Sequence, residues 1–376
     1  MSEPAPIFTH GVGSLVHAED GRTFVDLSMG FGAAFLGHAN PRVTAALAAA
    51  ASRFWSNGRR PTATRARVEA SLGEIVPSGM RFAGLYSTGM EVAEFAMRVA
   101  ATHTGRRAFA GFSRSMHGKS AMTAALCWEN AALRPGHLHT LRFVAEADEA
   151  AILADLEGLL RTGEIAALFV EPIQGSNAAH EASIPFYDRA IELCRENGAL
   201  CVFDEILTGL HRTGTRYYAD RLRQLPDLLL FSKSLGNGFP VAALALAQHI
   251  PIRPEATPHS TFSGGELALA AIESTLAAMG ELDVKARVAT IEATVRSVLG
   301  NLPPAVGTLR GSGALWCLEL GVDARPDEVL REILRAGLLV TSAGRAIRML
   351  PAATIDPRLL AESCEKIREA CAKVGE

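Results

Sequence analysis

The chain has 376 residues, of which 48% are hydrophobic and 20% are charged, so it is long enough for two domains or one large one. Its formal net charge is −3 and its isoelectric point is about 6.4. This balance excludes the strongly basic surface that attracts nucleic acid or membrane phosphate. We therefore expect neither nucleic acid nor a membrane among its partners.

The start of the chain and its cysteines favour a cytoplasmic protein. The opening residues MSEPAPIFTH lack the charged start and apolar segment of a signal peptide. Gly, Pro or charged residues interrupt every apolar stretch well before the roughly 18 residues that a membrane span needs. The six cysteines include no C-x-x-C pair, and no His cluster has the spacing of metal ligands. We expect reduced, mostly buried thiols and no bound metal.

Helices and short buried strands alternate along the chain. Residues 41–53 predict a helix that Pro41 opens after Asn40, and residues 88–100 predict a second helix that starts at Thr88 or Gly89. The centre of the chain predicts strand 166–172, helix 185–198, strand 199–205, strand 227–233 and strand 241–247. Strand, helix and strand at this spacing are typical of a parallel sheet in an α/β protein. In such a sheet the ligand lies outside the carboxyl ends of the strands.

Three ionisable residues, Glu171, Asp204 and Lys233, stand at the ends of three of these predicted strands. An acid in this position is often only a cap or a turn former, and a lysine often extends its ammonium group to water. The chain, however, has five lysines against thirty-two arginines, so a lysine among apolar residues indicates an amine that has to lose its proton. A lysine opposite a carboxylate, without metal ligands, suits pyridoxal 5'-phosphate. The lysine would bind its aldehyde as a Schiff base, and an Asp would hold its pyridine nitrogen.

The segments around these residues resemble one known family. FDEILTGLHRTG, followed by PDLLLFSKSLGNGFPVAAL, is similar to the central motif of the class III, fold-type I aminotransferases that depend on pyridoxal phosphate. Further similar segments are DGRTFVDLSMGFGAAFLGHANP, YSTGMEVAEFAMRVA, MHGKS, EPIQG, HSTFSGGELALAAI, LRGSGALWCLEL and AIRMLP. The resemblance covers most of residues 11–360. It implies a large domain with a mainly parallel central sheet, and a smaller α+β domain built from both chain ends.

The resemblance also implies roles for individual residues. Lys233 and Asp204 would be catalytic, and Arg348 would bind a substrate carboxylate. Thr261 would reach the cofactor phosphate of the partner subunit in a homodimer. The cofactor contacts that the resemblance implies are Thr88, Gly89, Met90, Met116, His117, Glu171, Asp204, Ile206, Lys233 and Thr261.

The phosphate position at residues 88–90 also has a physical reason. A helix that begins at a glycine leaves free backbone N–H groups, and these attract an anion. The alternative is a plain helix cap made by Thr88 or Ser87.

Three residues depart from the family pattern. Met90 stands where a hydroxyl side chain is usual, Met116 where an aromatic ring usually stacks on the cofactor, and Leu207 where a Gln usually meets its phenolic oxygen. A methionine can cover a ring, less rigidly than an aromatic side chain does. These departures favour a specialised member, with an unusual substrate or a reaction other than transfer.

Three functions remain open at this point. The first is an aminotransferase that moves an amino group between an amino acid or amine and a keto or aldehyde acceptor. The second is another reaction of the same cofactor: an aminomutase, a decarboxylase or a racemase. The third is a non-catalytic binding protein, which the presence of both Asp204 and Lys233 disfavours.

The resemblance divides the chain into three parts. Residues 1–45 would belong to the small domain, residues 46–255 would form the large cofactor-binding domain, and residues 256–376 would hold an interface segment and the rest of the small domain.

Overall fold

The computed structural model describes residues 6–58, 60–128, 136–303 and 305–375. The strands are β1 (Phe8–Val12), β2 (Leu15–Ala18), β3 (Thr23–Asp26), β4 (Met80–Tyr86), β5 (Ala108–Phe112), β6 (Leu138–Leu141), β7 (Ile165–Val170), β8 (Ile173–Gln174), β9 (His180–Glu181), β10 (Leu200–Asp204), β11 (Leu228–Phe231), β12 (Ala242–Ala247), β13 (Gly307–Ser312), β14 (Leu315–Leu320), β15 (Leu338–Leu339), β16 (Thr341–Ala343) and β17 (Ala346–Met349). The helices are α1 (Met29–Gly32), α2 (Pro41–Ala51), α3 (Ala63–Ile75), α4 (Gly89–Thr104), α5 (Ala121–Cys127), α6 (Glu149–Leu160), α7 (Ile184–Glu196), α8 (Glu266–Glu281), α9 (Val284–Leu299), α10 (Pro326–Arg335) and α11 (Pro357–Gly375).

The central sheet has seven strands in the order β4-β12-β11-β10-β7-β5-β6. The last five strands of this order run parallel to one another, whereas β12 is antiparallel to both of its neighbours. Every residue of β7, β10, β11 and β12 is buried. Such uniformly apolar strands form because helices cover both faces of a parallel sheet. The mainly parallel α/β fold predicted from the sequence is confirmed.

The predicted helices are present, with ends that differ by a few residues. The Asn40 side chain accepts hydrogen bonds from the second and third residues of α2, and Pro41 is its first residue. The Thr88 side chain accepts one from Glu91 N at the start of α4, which continues to Thr104 because the left-handed Gly105 then ends it. The helix predicted at 185–198 is α7, and Ser183 caps its N-terminus.

The two ends of the chain meet in one small sheet. β1, β2 and β3 form a meander, and β15 pairs with β3 in parallel. A second small sheet, in the order β13-β14-β17-β16, is built entirely from the C-terminal part. A smaller α+β region therefore draws on both chain ends, as expected. The domain boundaries at 45/46 and 255/256 stay predictions.

Within the described residues, no helix is both long enough and apolar enough to cross a bilayer. The six cysteines are unpaired, and all of them are buried.

One fully buried arginine joins three distant segments. Arg212 Nη2 donates to Gly32 O at 2.7 Å, and Nη1 donates to Pro351 O at 2.9 Å and to Ala314 O at 3.1 Å. Its guanidinium group lies 4.0 Å from the centre of the Phe35 ring. Burial lowers the pKa of Arg212 to about 9. Carbonyls and a ring face therefore take the place of a carboxylate partner for this cation.

We expect Arg212→Ala to lower the free energy of unfolding by about 2–4 kcal/mol, because three buried carbonyls lose a donor. Urea unfolding measures this change. The matched control is Arg216→Ala, since Arg216 is exposed and lies in the same segment. Equal unfolding midpoints for the two variants would contradict the proposed link between the segments.

Candidate active site

The three ionisable residues predicted at strand ends lie at the same edge of the central sheet. Glu171 directly follows β7, Asp204 is the last residue of β10, and Lys233 comes two residues after β11. Because β7, β10 and β11 are neighbours and parallel, their carboxyl ends meet. The charges of Asp204 and Lys233 both act on the pKa of Glu171, so the three groups share one electrostatic environment.

Asp204 is held in place by two hydrogen bonds. One carboxylate oxygen accepts from Ile206 N at 3.1 Å, and the other lies 2.7 Å from His117 Nδ1. Asp204 is 2% exposed and His117 is 1% exposed. Burial alone would lower the pKa of His117, but its interactions with Cys127 and Asp204 outweigh burial and raise that pKa well above the ordinary value. A protonated His117 would pair its charge with the Asp204 side chain in this buried setting.

Glu171 joins two loops of the site. Oε2 accepts from Met116 N at 2.9 Å, and Oε1 accepts from Gly175 N at 3.1 Å. Burial and the nearby charge of Asp204 raise the pKa of Glu171 to about 7. This carboxyl group therefore changes charge near neutral pH.

Lys233 is half-buried at the start of a short 3-10 helix, Lys233–Leu235. Its amine has no hydrogen-bond or ion-pair partner within the ranges that the structure describes. Burial lowers the pKa of Lys233, and Glu171 and Asp204 oppose this shift only in part. The structure thus favours the neutral, nucleophilic form of the amine more than water does.

The start of α4 leaves two backbone donors free. The N–H groups of Gly89 and Met90 have no acceptor in the described part of the chain, and the Thr88 hydroxyl can still donate while it caps the helix. A Cβ atom on Gly89 would lie 2.7 Å from Ile206 Cδ1, so Ile206 packs directly on this helix start. These groups can bind a dianion beside Asp204.

The three departures from the family pattern lie within this region. Met90 is 40% exposed, and Met116 is half-buried. Leu207 is buried, and its side chain fills the space between Gly32 and Gly175. A Cβ atom added to Gly32 would lie 3.0 Å from the Leu207 side chain, and one added to Gly175 would lie 2.2 Å from it. Leu207 therefore replaces a hydrogen-bonding group with apolar packing.

Arg348 lies on β17, its charge affects the pKa of Lys233, and the charge of Glu171 affects its own pKa. Nη1 donates to Gly175 O at 2.8 Å, and Nε donates to Thr341 Oγ1 at 3.1 Å. Nη2 has no acceptor among the residues that the structure describes. Burial lowers the pKa of Arg348, but this guanidinium group keeps its charge at neutral pH.

Thr261 is the one predicted residue that the single chain does not bring to this cluster. It is exposed in a turn before α8 and contacts none of the residues above through a described hydrogen bond. Its expected contact lies in a partner subunit.

Several neighbours of the site could not be predicted from the sequence. Cys127 acts on His117, Thr341 holds Arg348, and Phe31 lies over the Arg348 guanidinium group. Cys127 and Thr341 belong to none of the similar segments. Phe31 lies within the segment DGRTFVDLSMGFGAAFLGHANP, where the two glycines that flank it were the only sign of an unusual backbone. Among the described residues, no group of three His, Cys, Asp or Glu side chains is arranged to hold a metal ion.

Comparisons with known proteins show which family this chain belongs to. The model of the family "Aminotransferase class-III" matches residues 2–371. The chain is 30% identical to the [LysW]-aminoadipate semialdehyde/glutamate semialdehyde transaminase of Sulfolobus acidocaldarius, over 94% of this chain and 92% of that protein. It is also 30% identical to the 2-aminoadipate transaminase of Pseudomonas putida, over 98% of this chain and 96% of that protein. The solved structure of ornithine aminotransferase from Toxoplasma gondii has a TM-score of 0.86 and 26% identity, covering 99% of this chain and 91% of that one.

The mainly parallel sheet and the similarity to a solved aminotransferase structure show the fold-type I fold. The chain belongs to the class-III aminotransferase family, and it is an aminotransferase. Its cofactor is pyridoxal 5'-phosphate, whose partial occupancy is described for the T. gondii enzyme. The unpaired amine of Lys233 and the free N–H groups of α4 fit the aldehyde and the phosphate of this cofactor.

Glu171 should make the stability of the cofactor-free protein depend on pH. Its folded-state pKa of about 7 exceeds its ordinary value of 4.5, so between these pH values the folded protein holds a proton that the unfolded chain has released. The stabilisation is complete at low pH and is lost as pH rises through 7. From about pH 5 to pH 8, Glu171→Gln should gain roughly 2–3 kcal/mol in unfolding free energy relative to the wild type.

Urea unfolding at a series of pH values measures this difference. The same substitution at the exposed Glu164 is the control. A difference between Glu171→Gln and wild type that stays constant with pH would show that Glu171 is ionised throughout.

Proposed function

We propose that this aminotransferase moves an amino group between an amine and a keto or aldehyde acceptor at the cluster of Glu171, Asp204 and Lys233. The observation that carries the proposal is the lysine amine of lowered pKa at the carboxyl edge of the sheet, beside two buried carboxyl groups. An amine that loses its proton easily can act first as a nucleophile and then as a general base.

We propose that the residues around this cluster hold the cofactor. The Thr88 hydroxyl and the N–H groups of Gly89 and Met90 would bind its phosphate, and Asp204 would pair with its pyridine nitrogen. Support comes from the free donors of α4 and from the contact that fixes Asp204 beside His117. Glu171, Ile206 and Met116 would contact the ring. When bound, the cofactor withdraws electrons from the substrate's α-carbon, and this makes the α-proton removable.

The residues of the site have separate roles in the reaction. Lys233 takes the proton from the substrate's α-carbon, since its amine is half-buried and unpaired. With the cofactor bound, Lys233 would deliver this proton to the former aldehyde carbon, so that hydrolysis leaves the amino group on the cofactor and releases a keto or aldehyde product. Asp204 would stabilise a positive charge at the pyridine nitrogen, and its contact with His117 keeps the carboxyl group oriented. Leu207 and the other apolar side chains exclude water from one side of the site.

Arg348 is our candidate for the substrate's carboxylate. Its Nη2 atom has no acceptor among the described residues, and Thr341 and Gly175 hold the rest of the guanidinium group in place. The P. putida relative is named for 2-aminoadipate, an amino acid with two carboxylates. We propose that at least one substrate of this chain carries a carboxylate that pairs with Arg348.

Other reactions of the same cofactor are not our proposal. The named relatives are transaminases, and no feature of the described residues favours an aminomutase, a decarboxylase or a racemase.

We also propose a cytoplasmic homodimer whose two sites share residues. Exposed apolar side chains support a protein interface: Phe54, Trp55 and Phe262 are 50%, 77% and 74% exposed. The loops that carry them adjoin, because Asn57 contacts Glu266. Unpaired, buried cysteines support a reducing compartment.

Lys233→Ala should abolish amino transfer, because no other group supplies the nucleophile and base. Mixing purified protein with a panel of amines and following the visible absorbance of the cofactor measures the half-reaction. The control is Lys119→Ala, which removes an exposed lysine from the same region. Bleaching by Lys233→Ala at the wild-type rate would refute the role of this residue.

Asp204→Asn should keep the bound cofactor and its colour while turnover falls on the order of a hundred- to a thousand-fold, since an amide cannot stabilise a charge on the ring nitrogen. Steady-state rates per bound cofactor measure this effect. The control is Asp188→Asn, because Asp188 is equally buried but pairs with Arg223 away from the site. Near-normal turnover in Asp204→Asn would show that another residue pairs with the ring.

Thr261→Ala should weaken cofactor affinity by roughly 1–3 kcal/mol, the cost of leaving a charged acceptor without one hydrogen bond. A cofactor titration combined with sizing chromatography measures affinity and oligomeric state together. Thr257→Ala, in the same loop, is the control. A monomer that retains full cofactor affinity would contradict the shared site.

A further inference from the structure

The second ring nitrogen of His117 is buried behind the site. Nδ1 contacts Asp204 at 2.7 Å, whereas Nε2 makes no hydrogen bond to a nitrogen or oxygen atom within the described residues. The His117 side chain has no exposed surface. A buried polar atom without any partner costs roughly 1–3 kcal/mol, so a group that can interact with Nε2 should lie beside it.

The thiol of Cys127 lies on the same face of the central sheet as the His117 ring. Cys127 is the last residue of α5 and is 2% exposed. A Cβ atom added to Gly111 of β5 would lie 3.2 Å from Cys127 Sγ, so the sulfur lies directly over this glycine. Gly111 pairs in register with Phe169 of β7, and the Phe169 ring centre lies 5.6 Å from that of the His117 ring. The sulfur and the imidazole ring therefore lie over neighbouring residues of two adjacent strands.

Two hydrogen bonds fix the end of α5 against the loop that carries His117. Arg114 N donates to Cys127 O at 3.1 Å, and Trp128 Nε1 donates to Ser115 O at 3.2 Å. The interaction with the Cys127 side chain is one of those that raise the pKa of His117. The fold thus holds the thiol and the imidazole ring together from both sides of their contact.

A thiol suits this position better than other side chains of similar size. Free cysteine packs as a small apolar side chain and still offers a weak hydrogen-bond donor and acceptor. A carboxylate here would bury a further charge, and an alanine would leave Nε2 of His117 without a partner.

We propose that Cys127 is a positioning residue for the cofactor ring. Its sulfur interacts with Nε2 and keeps the second proton on His117, so that the imidazole ring stays cationic beside Asp204. The charge of this ring then affects how strongly Asp204 stabilises a proton on the pyridine nitrogen. This inference rests on the proposed function, in which Asp204 pairs with that nitrogen.

The proton on Nε2 can be measured directly in the cofactor-free protein, by nitrogen NMR with isotopically labelled histidines. The signals of His117 are those that disappear in His117→Asn. In Cys127→Ala we expect the pH at which Nε2 loses its proton to fall by roughly 1–3 pH units, the range for a close partner of the charged form. Glu171 also interacts with the charge of His117, but it has no ring nitrogen and does not contribute to this signal.

Two further variants separate the sulfur's interaction from its packing. Cys127→Ser keeps a hydrogen-bonding group at this position and should restore most of the change. The matched control is Cys371→Ala in α11, since Cys371 is buried to a similar extent, at 5% exposed. An unchanged His117 signal in Cys127→Ala would overturn the proposal. So would a Cys127→Ser variant that behaves like Cys127→Ala, because the change would then come from lost packing.

The cofactor-loaded protein tests the link through Asp204, by its visible absorbance over a series of pH values. Loss of the positive charge on His117 stabilises positively charged forms of the cofactor, so the midpoint of the absorbance change should move to higher pH in Cys127→Ala. If only Asp204→Asn moves the midpoint, Asp204 is the partner of the ring and the role of Cys127 is wrong. If neither variant moves it, Asp204 is not the partner of the ring and its proposed function fails.

Discussion

The site depends on the parallel pairing of three buried strands. Val202 to Asp204 of β10 pair in register with Leu228 to Leu230 of β11, and Leu200 to Phe203 pair with Ala167 to Val170 of β7. This register brings the carboxyl ends of the strands to one level, so residues from three separate stretches of sequence meet there. A slip of one residue in β10 would turn Asp204 to the other face of the sheet and remove it from His117.

The free-energy cost of burying a charge determines how the ionisable groups at this edge of the sheet are paired and protonated. The contact with His117 reduces this cost for Asp204. Glu171 binds a proton more readily than in water, and Lys233 releases a proton more readily than in water. Burial therefore raises the pKa of Glu171 to about 7 and lowers the pKa of Lys233, which favours the neutral form of both groups. Burial also lowers the pKa of Arg212 and Arg348, but both guanidinium groups keep their charge at neutral pH, and carbonyl oxygens and ring faces stabilise them.

The sequence predicted the parts of the molecule that local rules control. Uniformly apolar runs identified β7, β10, β11 and β12, and polar residues at three of their ends identified Glu171, Asp204 and Lys233. Cap residues located α2 and α4, because side-chain capping acts over three or four residues.

The features that depend on distant contacts could not be predicted. Arg212 looks like any surface arginine in sequence, and only the folded chain gathers the carbonyls of Gly32, Ala314 and Pro351 around it. In the sequence, the two glycines beside Phe31 are the only local indication of the strained turn, in which residues 29–32 have a left-handed backbone. The role of Thr261 requires a second subunit, so neither the sequence nor one chain determines it.

The most direct test of the account is to find which residue binds the cofactor covalently. Borohydride reduction of the purified yellow protein, followed by proteolysis and mass spectrometry, identifies the modified peptide. The account predicts that the cofactor is fixed to the peptide that contains Lys233. Label on the peptide that contains Lys119, or no fixed label at all, would contradict it.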